Sequence, residues 1–397
     1  MPGFELFGEA EKQSVMDVLD TGVLFRYGFD AARKDIWKTK TFEKEFAGYV
    51  RSKHCLLVSS GTAALSTALA ACGVGYGDEV IIPPFTFVAS VEGVMAAGAV
   101  PVFAEIDDTL CLDPDKLDRY VNKKTKAVMP VHMCGSMARI DRIKAFADAH
   151  GIMLLEDACQ ATGAHLGGKY AGTWGIAGCF SFDAVKTITC GEGGCVVTDD
   201  EEIYKRADAF HDHGHDHIGD DRGKEGHEIL GMNFRISELN AAVGLAQLSK
   251  LNTILEIQKR NHARIASVIR DFPDITPRSV PDASGDSCSF FSFMMPDENM
   301  ARKTAAALAA AGVDGSFYWY DNNWHYIRNW QHIRQMRTAM PAPQTHLDNM
   351  PDYTRLDLPQ SDHFMGRTIS MLIKLSWTEA ELEKRCENIH SVLKGIL

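Results

Sequence analysis

The chain has 397 residues, of which 45% are hydrophobic and 24% are charged, and its formal net charge at pH 7 is −12. These values are typical of a globular protein with a full core and exclude a largely disordered chain. The acidic balance, without a Lys- or Arg-rich run, argues against nucleic acid as a partner.

Cysteine spacing and the first residues bear on metal content and compartment. The ten cysteines occur singly, without a Cys-x-x-Cys pair, which argues against a zinc ribbon, an iron–sulfur cluster and a disulfide framework. The stretch from Met1 to Asp20 lacks the apolar core of a signal peptide, and no apolar run reaches the ~18 residues of a membrane span. We therefore expect a cytoplasmic protein without a metal or a membrane partner.

The N-terminal region begins with a helical pattern around Val15, Val18 and Leu19, which Thr21-Gly22 ends. The segment Phe25–Lys40 follows without a regular period. Its basic residues are Arg26, Arg33, Lys34, Lys38 and Lys40. Irregular segments of this kind often lie over a binding site, and a plain surface loop is the alternative.

From His54 to Thr198 short apolar runs alternate with helical stretches. The runs are Cys55–Val58, Val80–Ile82, Val100–Phe103, Ala127–Val131, Met153–Leu155, Cys179–Phe182 and Cys195–Thr198. Apolar runs of this length, joined by helices, predict a mainly parallel sheet with helices on both faces. This is an α/β fold of the doubly wound type, in which ligands bind beyond the carboxyl ends of the strands.

Three of these strand ends carry residues with an interpretable chemistry. Ser59–Leu65 opens a helix with small residues, which suits either a phosphate site or an ordinary N-cap. Phe87 lies in an aromatic stretch that would cover a flat ring or fill a core. Asp157 and Gln160 would pair with a pyridinium nitrogen and a neighbouring ring hydroxyl, or cap a helix.

Lys186 lies between two strand-like runs, in a loop that continues into Gly191-Glu192-Gly193-Gly194. Glycines allow the backbone to approach a ligand closely. A lysine amine held there becomes a nucleophile toward a carbonyl compound. The alternative is a solvated lysine beside a turn.

The rest of the chain predicts a second domain. His211–His217 alternates histidines, but further ligands at a recognisable spacing are absent from the sequence, so a polar loop is favoured over a metal site. A long helix from Ile236 to Pro273 should bridge a large domain, residues 1–250, and a smaller α/β domain within residues 251–397. In that smaller domain the aromatic run Phe317–Tyr326 is expected to line a cleft.

A phosphate cradle, a ring cover, an Asp with an amide partner and a lysine after a strand are the parts needed to hold pyridoxal 5′-phosphate. From Thr41 to about Leu251 the chain resembles the DegT/StrS sugar aminotransferases, which are fold type I pyridoxal-phosphate enzymes. The matching motifs are Ser60-Gly61-Thr62-Ala63-Ala64-Leu65, Gly77-Asp78-Glu79-Val80, Phe85-Thr86-Phe87-Val88-Ala89, Glu156-Asp157-Ala158-Cys159-Gln160, Ser181-Phe182 with Lys186, and Gly191-Glu192-Gly193-Gly194.

This resemblance implies a role for each matched residue. Lys186 would bind the cofactor covalently as a Schiff base, Asp157 would contact the ring nitrogen, Gln160 the ring hydroxyl, and Phe87 would stack on the ring. Asn233 resembles the residue that contacts the phosphate bound by a neighbouring subunit, which implies a homodimer with shared active sites. The residues expected to hold the phosphate within the chain are Gly61, Thr62, Ala63 and Ser181.

The resemblance also implies amino transfer from glutamate to a keto or aldehyde sugar. The basic segment Phe25–Lys40 and the aromatic run Phe317–Tyr326 depart from members that act on nucleotide-linked sugars. They favour an anionic sugar acid of the 8-oxo-3-deoxy-manno-octulosonate type, as used in lipopolysaccharide biosynthesis. The residues expected to contact the substrate are Arg26, Tyr27, His325 and Tyr326. The alternatives are a nucleotide-linked keto-sugar aminotransferase and a non-catalytic regulatory protein on the same fold.

Overall fold

The structure, a computed structural model, describes residues 3–219, 222–339, 348 and 350–397. Its helices are α1 (Glu9–Leu19), α2 (Lys38–Val50), α3 (Gly61–Ala71), α4 (Val88–Ala96), α5 (Ile140–His150), α6 (Glu201–His211), α7 (Glu238–Leu248), α8 (Leu251–Ile269), α9 (Glu298–Ala310), α10 (Gln331–Arg334), α11 (Pro359–Met365) and α12 (Glu379–Ile396). No helix in these described ranges combines the length and apolar character needed to cross a membrane.

Seven strands form the central sheet. They are β1 (His54–Val58), β2 (Glu79–Ile82), β3 (Val100–Phe103), β4 (Thr125–Val128), β5 (Met153–Asp157), β8 (Ala177–Ser181) and β9 (Gly194–Thr198), in the order β1-β9-β8-β5-β4-β2-β3. A small hairpin, β6 (His165–Leu166) and β7 (Lys169–Tyr170), lies between β5 and β8 in sequence. The five strands from β8 to β3 are parallel, whereas β9 is antiparallel to both of its neighbours. The prediction of a mainly parallel α/β sheet is confirmed.

Helices cover both faces of this sheet because its strands are apolar on both sides. Along β1, Cys55 and Leu57 enter one core cluster, while Leu56 and Val58 enter the other. This alternation follows from the period of two along a strand. Helix α2 packs on α7 at the first face, and α3 packs on α4 and α6 at the second.

A second, antiparallel sheet lies in the C-terminal part. Its strands are β10 (Thr276–Pro277), β11 (Phe290–Met294), β12 (Ser316–Phe317) and β13 (Thr368–Leu372), in the order β10-β11-β13-β12. Helix α12 packs against α8 and α9, and together they bury a separate apolar cluster that includes Phe293 and Ile369.

The long helix expected from Ile236 to Pro273 is two helices, because the helical conformation is interrupted between Leu248 and Leu251. At the break the Ser249 hydroxyl donates to the carbonyl of Ala246 at 2.7 Å, a bond that competes with helix continuation. The division into domains at residue 250 stays a prediction.

Candidate active site

A cavity of about 1040 Å³ opens beyond the carboxyl ends of β5 and β8, where it meets the C-terminal sheet. Of the residues predicted from the sequence, those that line it are Gly61, Thr62, Phe87, Asp157, Gln160, Ser181, Lys186 and His325. Strand ends, a helix start and one aromatic segment thus converge on a single space, as expected for an α/β sheet.

Lys186 lies half-buried in the loop that joins β8 to β9. Its backbone N–H donates to the carbonyl of Asp183, and its own carbonyl accepts from the N–H of Gly3, both at 3.0 Å. Farther along the loop, Gly191 has φ +82°, a conformation that glycine adopts without strain. Within the described residues no hydrogen bond or ion pair engages the Lys186 Nζ. The amine is therefore positioned by its backbone and left available for a ligand.

The start of α3 provides free amide groups beside the end of β8. The Ser60 hydroxyl oxygen caps this helix by accepting from the Ala63 N–H at 3.0 Å. The N–H groups of Gly61 and Thr62 make no hydrogen bond within the part of the chain that the structure describes. A Cβ on Gly61 would lie 2.7 Å from the Cβ of Ser181. Because Gly61 lacks a Cβ, two amides and the Ser181 hydroxyl can surround one small anion.

Ala63 differs from its neighbours in this cradle. Its amide is occupied by Ser60, and it is absent from the residues that line the cavity. The predicted contact between Ala63 and the phosphate would have to displace the N-cap. The free amides of Gly61 and Thr62 are thus the donors that the structure favours.

Asp157 is the last residue of β5, and its buried carboxylate is held at both oxygens. Oδ2 accepts from the Ser90 hydroxyl at 2.6 Å, and Oδ1 accepts from the Cys159 N–H at 3.1 Å. The Ser90 hydroxyl lies 2.6 Å from that of Thr86. These bonds orient the carboxylate, and they are stronger than bonds between neutral groups because one partner is charged.

Sequence reasoning did not identify Thr86 and Ser90 as part of the site. Their spacing of four residues across the start of α4 places both hydroxyls on the same side, which is the signal that was available. Gln160 is held in a similar way, since its side-chain oxygen accepts from the Cys134 N–H at 3.1 Å. That bond leaves the Gln160 NH₂ group as a donor for a ligand oxygen.

An aromatic wall forms the side of the cavity that faces the C-terminal part. Phe87 and Trp324 stack with ring centroids 5.7 Å apart and planes 7° from parallel, and His325 lies 4.2 Å from the Trp319 ring. Backbone bonds fix this wall, because the Thr86 N–H donates to the His325 carbonyl at 3.0 Å. Burial and the nearby Lys186 charge lower the pKa of His325 to about 3, so its imidazole is neutral at pH 7.

Tyr326 is buried and does not line the cavity of its own chain, and its role as a substrate contact stays a prediction. Its side chain is 0% exposed, and its hydroxyl donates to Asp362 Oδ1 at 2.7 Å. It pairs with Phe85 in an extended bridge. In extended backbone, successive side chains point to opposite sides, so that His325 reaches the cavity and Tyr326 does not.

Arg26 also lies outside the cavity of its own chain, and its role as a substrate contact stays a prediction. The side chain is 5% exposed. Its Nη2 pairs with Glu43 at 2.7 Å, and its Nη1 donates to the Leu57 carbonyl at 2.8 Å. Arg33 pairs with Glu238, and Lys38 with Asp17. These bases of the segment Phe25–Lys40 thus have partners within the chain.

Tyr27 likewise does not line the cavity of its own chain, and its contact with a substrate stays a prediction. Its hydroxyl lies 3.1 Å from His211 Nε2, and its ring stacks on His217 with centroids 4.7 Å apart. Tyr27 is therefore bound to the histidine-rich segment that follows α6.

That segment is held by ion pairs. His217 contacts Asp208 at 2.7 Å and Asp212 at 3.0 Å. Burial opposes protonation of His217, but the two carboxylates raise its pKa to about 9.

Asn233, which pairs with Asp212 in a backbone bridge, is exposed and lies outside the cavity of its own chain.

Residues 7–390 match the DegT/DnrJ/EryC1/StrS aminotransferase family. The chain belongs to this family. Members of the family are pyridoxal 5′-phosphate-dependent aminotransferases, and pyridoxal 5′-phosphate is accordingly the cofactor. The predictions of family, fold type and cofactor are confirmed.

Two curated relatives and one solved structure illustrate the match. The chain is 39% identical over 269 residues to the L-glutamine:2-deoxy-scyllo-inosose aminotransferase of Streptomyces kanamyceticus, covering 66% of this chain and 63% of that relative's length. It is 32% identical over 397 residues to the spore coat polysaccharide biosynthesis protein SpsC of Bacillus subtilis, covering 98% and 96%. The X-ray structure of an aminotransferase from Psychrobacter cryohalolentis superposes with a TM-score of 0.85 at 26% identity, covering 98% of each chain.

The aminotransferase cavity fits this cofactor on the chain's own geometry. The space that Gly61 leaves beside Ser181 and the free amides of α3 suit a phosphate. The fixed Asp157 carboxylate suits a protonated ring nitrogen, and the Gln160 NH₂ suits a ring oxygen. Lys186 provides an amine in the same cavity that has no partner among the described residues.

Proposed function

We propose that this enzyme transfers an amino group from glutamate to a keto or aldehyde sugar. The favoured acceptor is an anionic sugar acid of the 8-oxo-3-deoxy-manno-octulosonate type, used in lipopolysaccharide biosynthesis. The observation that supports amino transfer most directly is the meeting of Lys186 and Asp157 in one cavity, with the carboxylate held at both oxygens. A non-catalytic protein would not need this carboxylate and this amine in one cavity.

The residues of the chain have distinct roles in this reaction. Asp157, oriented by Ser90, keeps a ring nitrogen protonated. The bound cofactor supplies an electron sink for the negative charge that develops at the donor carbon. Lys186 would hold the cofactor through its Nζ, and the same Nζ, when free, would accept the proton from the donor carbon and pass it to the cofactor. Neutral His325 and the aromatic wall exclude water from this proton transfer.

The assembly is part of the proposal. Asn233 is exposed and lies outside the cavity of its own chain, a placement that suits a contact with the cofactor phosphate of a second subunit. We therefore propose a homodimer in which each subunit completes the active site of the other.

A nucleotide-linked keto sugar is the second candidate acceptor. The stacked pair of Phe87 and Trp324 favours it to the extent that aromatic rings also stack on a nucleobase. The same rings accommodate the apolar face of a sugar, so this observation fits both candidates.

The test separates the two half-reactions. The enzyme with bound cofactor is mixed with glutamate or with glutamine, and the cofactor absorbance is followed. The aminated form is then mixed with a panel of keto and aldehyde sugars that are anionic, neutral or nucleotide-linked. We expect glutamate to drive the first step and a sugar acid the second. Turnover of nucleotide-linked sugars alone would support the second candidate, and the absence of a glutamate-driven change would contradict the proposed donor.

The matched control is Lys186→Ala, which should bind the cofactor without covalent attachment and fail in both half-reactions. Retention of normal turnover by this variant would contradict the role proposed for Lys186.

A further inference from the structure

Lys374, two residues beyond the end of β13, lines the active-site cavity. Among the described residues that line this cavity, Lys186 and Lys374 are the only lysines or arginines; the lining carboxylates are Glu5, Asp157, Asp183 and Glu192. The amine of Lys186 is assigned to the cofactor. Lys374 is therefore the cation of this chain that remains for an anionic group of the substrate.

Lys374 is paired with a carboxylate that has a second cation. Its Nζ contacts Asp314 Oδ2, while Arg385 Nη1 donates to Asp314 Oδ1 at 2.9 Å. Arg385 is 6% exposed, and its guanidinium lies 4.6 Å from the ring centroid of Trp377. Because Arg385 is fixed there, Asp314 keeps a partner when Lys374 turns toward a ligand. Asp314 thus has two cationic partners, and Glu5 is the second carboxylate beside this segment.

The backbone that follows Lys374 is fixed by the N-terminal turn Gly3–Leu6. Glu5 Oε2 accepts from the N–H groups of Leu375 at 2.7 Å and Ser376 at 2.8 Å. The Gly3 N–H donates to the carbonyl of Lys186 at 3.0 Å. One short turn thus links the segment after Lys374 to the loop of Lys186, and the two backbone dipoles offset part of the Glu5 charge. The separation between the two lysines is set by this link.

We propose that Lys374 binds the carboxylate of the acceptor, with Glu5 as a positioning residue for the segment that bears it. This inference rests on the proposed function and adds to it the group that selects a sugar acid over a neutral sugar. The reacting carbonyl lies at Lys186, and the carboxylate lies at the opposite end of the acceptor. A charge-assisted bond of this kind is among the strong hydrogen bonds of proteins.

The experiment compares Lys374→Met, Lys374→Arg and wild type in the second half-reaction. The probes are the sugar acid named above and its carboxylate methyl ester, which has the same shape without the charge. A control variant, Lys384→Gln, removes a lysine that is 69% exposed on α12. Each variant is first tested for cofactor absorbance and for the glutamate half-reaction, which reports an intact site.

We expect Lys374→Met to raise the KM of the acid about ten- to a hundredfold, the range for one lost bond to a charged group, and to leave the KM of the ester unchanged. A loss of the same size in the glutamate step would assign Lys374 to the donor carboxylates and overturn the inference. Lys374→Arg should recover most of the loss, and Lys384→Gln should behave as wild type. An equal effect on acid and ester, a loss confined to the glutamate step, or the absence of any effect would overturn the inference. If wild type aminates no sugar acid, the proposed function fails as well; if it does and Lys374→Met equals it, only this inference fails.

Discussion

Removal of the Ser90 hydroxyl tests how the Asp157 carboxylate is held. In Ser90→Ala, Oδ2 of Asp157 loses the donor that lies 2.6 Å away. Ser90 is 0% and Asp157 4% exposed, so bulk water cannot readily replace that donor. The Cys159 N–H at 3.1 Å still holds the other oxygen, and we expect the fold to persist.

The size of the effect follows from the type of bond that is lost. A hydrogen bond to a charged group contributes about 1.5–3 kcal/mol, and 1.4 kcal/mol corresponds to a factor of about ten in an equilibrium constant. We therefore expect the Kd of pyridoxal 5′-phosphate, measured by titration of the apoenzyme, to rise about ten- to a hundredfold. The rate of the glutamate half-reaction should fall as well, because the electron sink depends on the oriented carboxylate.

The matched control is Ser14→Ala. Ser14 is also buried, but its hydroxyl donates at 2.8 Å to the neutral carbonyl of Ala242, away from the cavity. This variant should lose some stability and keep normal cofactor affinity. If Ser90→Ala and Ser14→Ala bind the cofactor equally well, the role assigned to the Ser90–Asp157 bond is refuted.

Three further predictions concern other parts of the structure. In Gly61→Ala the new Cβ meets the Ser181 Cβ at 2.7 Å, so the Kd of pyridoxal 5′-phosphate should rise at least about tenfold. The Kd of pyridoxal, which lacks the phosphate, should change little. Equal changes in the two Kd values would contradict a phosphate site at the start of α3. Arg26→Ala leaves the partly buried Glu43 carboxylate without its counter-ion, and the free energy of unfolding measured in urea should fall by up to about 3–5 kcal/mol, the range for breaking a buried pair. The double variant Arg26→Met, Glu43→Leu should recover part of the loss, and an unchanged stability would contradict the pairing. The pKa of His217 is raised to about 9 in the folded protein from about 6.5 in the unfolded chain. Its contribution to the free energy of unfolding is therefore fully present below pH 6.5 and is lost as the pH rises through 9. His217→Gln should remove that pH dependence from urea unfolding, and an unchanged pH profile would contradict the ion pairs.

The parts of the site that the sequence predicted are those fixed by local pattern. Buried parallel strands appear as short apolar runs, and a polar residue at the end of such a run lies at the ligand-binding edge of the sheet. Asp157 lies two residues and Lys186 four residues after the end of such a run, and Gly61 opens the helix after one. For these residues the position along the chain also gives the position in space.

The predicted substrate residues that lie outside the cavity of their own chain have partners distant in sequence. Arg26 is neutralised by Glu43 and bonded to Leu57, and Tyr326 is bonded to Asp362. The sequence shows the charge of such a residue but not the carboxylate that folding brings to it. Lys374 was overlooked because it stands in an apolar stretch after β13, and its neighbours suggest a core strand.

The most direct test of the central claim is the identity of the lysine that holds the cofactor. The enzyme with bound pyridoxal 5′-phosphate is reduced with borohydride and digested, and the labelled peptide is sequenced by mass spectrometry. The account predicts a single pyridoxyl label on Lys186, lost in Lys186→Ala while Lys374→Met retains it. A label on a different lysine, or a protein that binds the cofactor without any reducible bond, would contradict it.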